Sequence, residues 1–182
     1  MLRTRLAGRL WASVACGACC ETIVAACAAI EMVHTASLCH DDVIDESPLR
    51  RHRPALWTVA GRPAAVLTGD LLLSESMDLM LQPQGGLYAR SFLAKVRQVV
   101  EAETRQELLH RGQMPDMQTC ITVARGKTGL LFAFVAEICA GTDPVLRSAL
   151  EEAGYLLRQV LTPRVIHGDC HDQRRIEAGQ GI

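Results

Sequence analysis

The chain has 182 residues, of which 49% are hydrophobic, and its 19 basic and 20 acidic side chains leave a net charge of −1. This composition describes one globular domain, or a large part of one, with enough apolar material for a core. The basic residues are dispersed, so the chain lacks the concentrated positive field that nucleic acid requires. The longest nearly apolar stretch, 23–38, is interrupted by Glu31 and His34. We therefore expect no nucleic-acid partner and no transmembrane segment.

Eight cysteines are present, and Cys16 and Cys19 form the only pair with metal-like spacing. A structural zinc site needs a second such pair, so none is expected. Most of the cysteines fall on apolar helical faces, where a free thiol behaves as a small hydrophobic side chain. This usage is typical of a reducing compartment and predicts a cytoplasmic protein.

Apolar residues recur at three- and four-residue steps over 12–40, which predicts one or two buried helices. An arginine-rich connector with two prolines follows, and the helical pattern returns over 64–80 until Pro83. Further helices are predicted over 87–109, 118–140 and 144–157, the last one capped by Asp143. No alternating strand pattern persists. The predicted fold is all-α, an antiparallel helical bundle.

An acidic motif, His40-Asp-Asp-Val-Ile-Asp45, stands at the end of the first apolar helix. Asp41 and Asp45 lie one helical turn apart, with Asp42 beside them. Three carboxylates this close in a partly buried wall require a cation. Mg²⁺ suits them, because it binds through one or two carboxylates plus substrate phosphates. The alternative is an acidic helix end that is simply solvated.

Arginines after the acidic motif favour a site over a solvated end. Arg50 and Arg51 lie within reach of the same region. Guanidinium groups beside a magnesium and carboxylate cluster can grip a diphosphate.

The run from Glu31 to Arg51 resembles the first aspartate-rich region of the trans-isoprenyl diphosphate synthases, also called polyprenyl synthetases. Three later motifs are similar to motifs of the same family: Gly69-Asp-Leu-Leu-Leu, Glu103-Thr-Arg-Gln106 and Lys127-Thr128. The resemblance implies a bundle of the isoprenoid synthase type that is incomplete at both ends. It covers a domain over 1–157 and leaves a divergent polar tail over 158–182.

The resemblance also implies a reaction, the condensation of an allylic prenyl diphosphate with isopentenyl diphosphate to give a longer all-trans product. Magnesium ions and arginines would neutralise the allylic diphosphate so that its C–O bond ionises. The residues implied in catalysis are Asp41, Asp42, Asp45 and Lys127, the three aspartates being the Mg²⁺ ligands. Those implied in substrate binding are Arg3, Arg5, His34, Arg50, Arg51, Gln106 and Thr128.

Product length in this family depends on the side chain five residues before the first aspartate, which here is Ala36. Ser37 is small as well. An open tunnel floor is therefore expected, with a C20 or longer product.

Two departures from the family pattern leave alternatives open. Leu2 stands where the family has a lysine, and Gly168-Asp-Cys-His-Asp172 keeps only part of the second aspartate-rich region. A catalytically impaired or regulatory subunit of a heteromeric synthase is therefore the main alternative, and a terpene cyclase relative is a third. The expected assembly is a homodimer, or a heterodimer with a full-length homologue. The tail would belong to a shortened paralogue or result from a reading-frame error.

Overall fold

The computed structural model describes residues 20–110, 129–141, 143–150 and 152–153. In chain order the elements are α1 (Cys20–Ile44), β1 (Leu49–Arg50), β2 (Arg53–Pro54), α2 (Leu56–Ala60), α3 (Arg62–Leu81), a 3₁₀ turn (Gly86–Tyr88), α4 (Ala89–His110), α5 (Leu130–Ala140) and α6, whose described residues are 144–150 and 152–153.

The helices α1 and α3 pack against each other along their length. They are antiparallel, because His40 near the end of α1 contacts Val66 in the first half of α3. Between them the chain reverses through the β1–β2 hairpin and α2. Two contacts hold this connector together: Trp57 Nε1 of α2 donates to the carbonyl of Ser47 at 2.8 Å, and Arg62 at the start of α3 pairs with Glu46 at 2.7 Å.

The core is centred on α5, whose residues are all buried. A helix that is apolar all round belongs inside a bundle. Phe134 packs its ring against Phe92 of α4, with 5.4 Å between centroids. Each buried ring stabilises the fold by about 2 to 3 kcal/mol. Glu137 is the exception in α5, and it accepts a hydrogen bond from Ser91 Oγ at 2.7 Å.

These contacts fix the two ends of the bundle. The connection 82–88 joins the end of α3 to the start of α4, so Ser91 and its partner Glu137 lie at the end remote from the acidic motif. The acidic motif lies at the other end, where α1 stops and α3 begins.

The all-α fold is confirmed. The helix predicted over 64–80 is observed as α3, and the one predicted over 87–109 as α4. Asp143 caps α6 as predicted, since its Oδ1 accepts the amides of Val145 and Leu146 at 2.9 and 3.0 Å. The domain boundary predicted after residue 157 lies outside the described residues and stays a prediction.

The β1–β2 hairpin was not predicted. Leu49 pairs with Pro54 and Arg50 with Arg53 in antiparallel register. The strands are only two residues long, too short for an alternating pattern to be visible in the sequence.

By length and composition alone, the segment Glu21–Ile44 of α1 would be able to cross a membrane. From the sequence we expected an apolar stretch too short and too polar to span a membrane. The helix is longer than that stretch, because it continues six residues beyond Leu38. Of its apolar window, 44% is buried inside the protein, and the core helix of a soluble protein meets the same criterion. The absence of a transmembrane segment stays a prediction.

Candidate functional site

The acidic motif forms the last turn of α1. Helical bonding continues through it, since the amide of Asp45 donates to the carbonyl of Asp41 at 2.8 Å. Asp41 is half-buried and Asp45 is exposed. The one-turn spacing expected from the sequence is therefore present, with both residues at the rim of the bundle.

Asp42 is buried and bound to Arg50 in a bidentate ion pair. Arg50 Nε lies 2.8 and 2.9 Å from the two carboxylate oxygens of Asp42, and Nη2 lies 2.6 Å from Oδ1. Two parallel bonds of this kind fix the guanidinium plane as well as its position. The geometry therefore gives Asp42 a guanidinium partner and holds Arg50 beside the acidic turn.

The β1–β2 hairpin carries both predicted arginines. Arg50 ends β1, while Arg51 and His52 form the two-residue turn with φ of 52° and 62°. Both residues therefore adopt the left-handed backbone conformation, as the two central residues of a type I′ hairpin turn require. Such φ values are unusual for residues with side chains and cost about 1 kcal/mol each. Arg51 is exposed at the tip of this turn.

A second set of contacts joins the acidic turn to α3. His40 Nε2 lies 3.2 Å from the Val66 carbonyl oxygen and 3.2 Å from Asp70 Oδ1. Gly69 lies directly beneath the ring, because a Cβ at this position would stand 2.3 Å from His40 Nε2. Sequence reasoning missed this cluster. The signal available was that both His40 and Gly69-Asp70 belong to the quoted motifs, but nothing in the sequence placed them together.

The predicted cavity-wall residues lie on two helices. His34 is half-buried on α1, and its carbonyl accepts a hydrogen bond from Ser37 Oγ at 3.0 Å. Ala36 is buried, with 2% of its surface exposed. Gln106 is exposed near the end of α4. The described contacts do not bring Gln106 together with the acidic turn.

Four predicted site residues lie outside the described residues: Arg3, Arg5, Lys127 and Thr128. The second, partial acidic region over 168–172 lies outside them as well.

Two thiols on α1, the buried Cys27 and the half-buried Cys39, have raised pKa values. Burial, and secondly the charge of Glu31, raises the pKa of Cys27 to about 11. Burial also raises the pKa of Cys39, and the charge of Asp42 adds to the effect, while Arg50 opposes it. Both groups are therefore neutral at physiological pH and serve in packing rather than as nucleophiles.

A family model for polyprenyl synthetase matches residues 3–159 of the chain. The chain belongs to the polyprenyl synthetase family.

Relatives of known function support this assignment. (2E,6E)-farnesyl diphosphate synthase of Mycobacterium tuberculosis H37Rv is 31% identical over 149 residues, which cover 79% of this chain and 42% of the relative. Heptaprenyl diphosphate synthase component 2 of Bacillus subtilis is 31% identical over 129 residues, covering 69% of this chain and 37% of the relative. The chain thus spans less than half the length of these relatives.

Among solved structures, the polyprenyl synthase of Caulobacter crescentus CB15, complexed with calcium and isoprenyl diphosphate, superimposes with a TM-score of 0.72 at 30% identity. The match covers 85% of this chain and 46% of that one.

The carboxylates of the acidic turn are ligands of the kind that a hard cation takes together with phosphate and water oxygens. Within the described ranges, no group of three histidine, cysteine or acidic side chains is arranged to hold a metal ion. Asp42 is paired with Arg50, and Asp41 and Asp45 are the other two carboxylates of the motif, one helical turn apart. Two carboxylates are the number that Mg²⁺ commonly takes from protein when phosphates and water supply the rest.

Two shallow clefts in the described part of the chain lie away from this turn. One, of about 370 Å³, is lined by residues that include Ser91, Glu137 and Arg147. The other, of about 270 Å³, lies along α4 between Arg97 and Arg105. Neither includes a residue of the acidic turn.

Proposed function

We propose that the protein is a prenyltransferase that condenses an allylic prenyl diphosphate with isopentenyl diphosphate in a Mg²⁺-dependent reaction. The observation that carries the proposal is the pairing of an acidic helix end with a guanidinium fixed against it by two parallel hydrogen bonds. Carboxylates for a metal and an arginine for phosphate oxygens are the two parts of a diphosphate site. Family membership, and the isoprenyl diphosphate bound to the Caulobacter relative, support the same substrate class.

The roles follow from the geometry of α1. Asp41 and Asp45 would hold Mg²⁺ at the rim of the bundle, and bound Mg²⁺ would supply positive charge to the leaving diphosphate. Asp42, the third predicted ligand, has its oxygens directed to Arg50, so we assign it the task of aiming that guanidinium. Asp42 then contributes to the site through Arg50 rather than by a metal contact of its own.

The remaining predicted residues divide between two diphosphates. Arg51, Gln106, Lys127 and Thr128 would complete the allylic site together with Arg50. Arg3, Arg5 and His34 would hold the diphosphate of isopentenyl diphosphate.

In the reaction, the allylic C–O bond breaks and its electron pair leaves with the diphosphate, which Arg50 stabilises. The double bond of isopentenyl diphosphate attacks the allylic carbon and forms the new C–C bond. A proton is then lost, with the departed diphosphate as its acceptor. The apolar side chains of α1 exclude water from the allylic carbocation that ionisation produces.

The product is proposed to be C20 or longer, because Ala36 and Ser37 present small side chains on α1 below the acidic turn. A growing prenyl chain would meet no bulky group at these positions.

A second candidate function is that of an impaired or regulatory subunit in a heteromeric synthase. The relative from Bacillus subtilis carries the name of one component of a heptaprenyl diphosphate synthase, and it is 31% identical to this chain. A heterodimer with a full-length homologue would serve this function, whereas the catalytic one is compatible with a homodimer. A cytoplasmic location is proposed for either.

Incorporation of labelled isopentenyl diphosphate into extractable product tests the catalytic proposal. The full chain is incubated with geranyl or farnesyl diphosphate and Mg²⁺. The wild type is expected to turn over substrate, and Asp41→Asn is expected to abolish this activity. The control Asp78→Asn, at an exposed acid on α3, is expected to leave it unchanged. Absence of turnover with every allylic substrate rejects catalysis. Copurification with a full-length homologue, together with an altered product length on mixing, would then support the regulatory function.

A further inference from the structure

His40 is joined to α3 by a single nitrogen. Its Nε2 lies within hydrogen-bond distance of two oxygens, the Val66 carbonyl and Asp70 Oδ1, both at 3.2 Å. A carbonyl oxygen and a carboxylate are acceptors, so Nε2 must carry the hydrogen and donate. The side chain of His40 is 27% exposed and that of Asp70 is 59% exposed.

Gly69 makes this contact possible. A Cβ at Gly69 would lie 2.3 Å from His40 Nε2 and 2.6 Å from Cδ2. Carbon and nitrogen atoms need more than 3 Å, so any larger residue would displace the ring. The imidazole therefore packs directly against the α3 backbone at Gly69. The thickness of the ring sets how closely the end of α1 approaches α3.

The placement of this contact gives it a consequence for the site. His40 directly precedes Asp41, and α1 ends at Ile44. Beyond that point the chain enters the connector that holds the hairpin and α2. The ring of His40 thus contacts α3 directly next to the carboxylates of the acidic turn.

We propose that His40, Gly69 and Asp70 form a positioning unit for the acidic turn. The unit fixes the separation of α1 and α3 and so sets where the acidic turn, with Asp41 and Asp45, stands relative to α3. His40 touches neither the metal nor the substrate in this proposal. The proposal rests on the function proposed above, since the carboxylates it positions are those assigned to Mg²⁺ and diphosphate.

Three variants separate the contributions of the unit. His40→Ala removes the ring and its donor. His40→Gln keeps a donor, because the glutamine amide nitrogen is as many bonds from Cα as His40 Nε2. Gly69→Ala leaves the histidine in place but expels its ring. The matched control is Gly86→Ala, since a Cβ at Gly86 meets nothing within 4 Å.

The first readout is hydrogen exchange of two backbone amides in and after the acidic turn. The Asp45 amide donates to the Asp41 carbonyl and the Ser47 amide to the Asp42 carbonyl. His40→Ala and Gly69→Ala are expected to accelerate exchange at these amides about tenfold, because the turn opens locally. His40→Gln and Gly86→Ala are expected to leave exchange as in the wild type. Unchanged exchange in His40→Ala overturns the proposal, whether or not the protein binds diphosphate.

The second readout is the dissociation constant of geranyl diphosphate in the presence of MgCl₂. His40→Ala and Gly69→Ala are expected to raise it about tenfold through misplaced carboxylates, while His40→Gln stays within about threefold of the wild type. Faster exchange with unchanged affinity would show that the unit stabilises the turn without serving the site, and would overturn the positioning role. A wild type that binds no diphosphate would reject the proposed function, and exchange alone would then decide whether the unit holds the turn.

A fourth variant keeps the test valid if Gly69→Ala does not fold. Combining His40→Ala with Gly69→Ala removes the clash, so the double variant is expected to fold and to behave as His40→Ala alone. A double variant with the summed defects of both single variants would contradict a shared ring contact.

Discussion

At the scale of single residues, the ion pair of Asp42 and Arg50 joins the acidic turn to the hairpin. The Asp42 carboxylate is buried, and a buried charge is tolerated only when it is paired and hydrogen-bonded. Its partner reaches it across eight residues, from the hairpin that follows α1. The pair therefore links the fold of the hairpin to the acidic turn.

Removing one member of this pair tests its weight. Arg50→Ala leaves the Asp42 carboxylate buried without its guanidinium and is expected to lower the free energy of unfolding by about 3 kcal/mol. Urea unfolding followed by circular dichroism measures this change. The control Arg97→Ala breaks the exposed ion pair with Glu101, which contributes at most about 0.5 kcal/mol. Equal losses in the two variants would contradict the account of Asp42.

The thiol of Cys27 provides a pH-dependent test. Its pKa is raised to about 11 by burial and by Glu31, so the thiolate fraction keeps rising as the pH goes from 8 to 10. In the folded protein the alkylation rate of Cys27 is therefore expected to rise about tenfold per pH unit over this range. In the denatured chain the rate should level off above about pH 9. Mass spectrometry of the labelled peptides measures both, and a plateau near pH 9 in the folded protein would refute the raised pKa.

Ala36 tests the proposed product length. Replacing it by tyrosine places a ring on the buried face of α1, which is expected to shorten the product by at least one isoprene unit. Chromatography of the dephosphorylated products measures the shift. Thr35→Tyr, on an exposed position of the same helix, serves as the control for a general effect of the added ring. Unchanged products in Ala36→Tyr would show that the growing chain does not pass this position.

At the scale of elements, the long helices were predictable and the hairpin was not. The helix α4 alternates apolar and polar faces along its length, so its period is visible in the sequence, whereas α3 is marked by a run rich in leucine and alanine that stops before Pro83. The hairpin has two-residue strands, and its turn holds Arg51 and His52 where glycine or asparagine would have been a signal. Its conformation depends on tertiary contacts such as the one between Arg50 and Asp42.

The candidate site shows the same division. The one-turn spacing of Asp41 and Asp45 follows from the helical period alone. His40 and Gly69 are 29 residues apart in the chain, and their contact depends on the register between α1 and α3, which no local pattern encodes. The sequence therefore predicted which residues carry the chemistry and missed what holds them in place.

The left-handed turn gives a prediction for the hairpin. His52 has φ of 62°, so His52→Gly is expected to relieve backbone strain and raise the free energy of unfolding by about 0.5 to 1 kcal/mol. The neighbouring change Arg53→Gly, within β2, should instead lower it. Urea unfolding compares the two, and a destabilised His52→Gly would contradict the strain assigned to this turn.

At the scale of the whole molecule, the two ends of the described bundle differ in the polar groups that they carry. At the end formed by Ser91 and Glu137, the buried carboxylate of Glu137 accepts a hydrogen bond from Ser91 Oγ and borders a shallow cleft. The other end concentrates the acidic turn, the arginines of the hairpin and the cluster of His40 with Asp70. This polarity is what a diphosphate site above an apolar interior requires, with charge neutralised at the mouth and water excluded below.

The most direct test of the account is calorimetric titration of the full chain with farnesyl diphosphate, with MgCl₂ and with EDTA. The acidic turn is the proposed anchor, so binding is expected only with Mg²⁺ and is expected to be lost when Asp41 and Asp45 are both changed to asparagine. The control is a double variant that combines Glu75→Gln with Asp78→Asn, at two exposed acids on α3, and it should bind as the wild type does. Equal affinity in EDTA, or in the variant lacking both carboxylates of the acidic turn, would contradict the account.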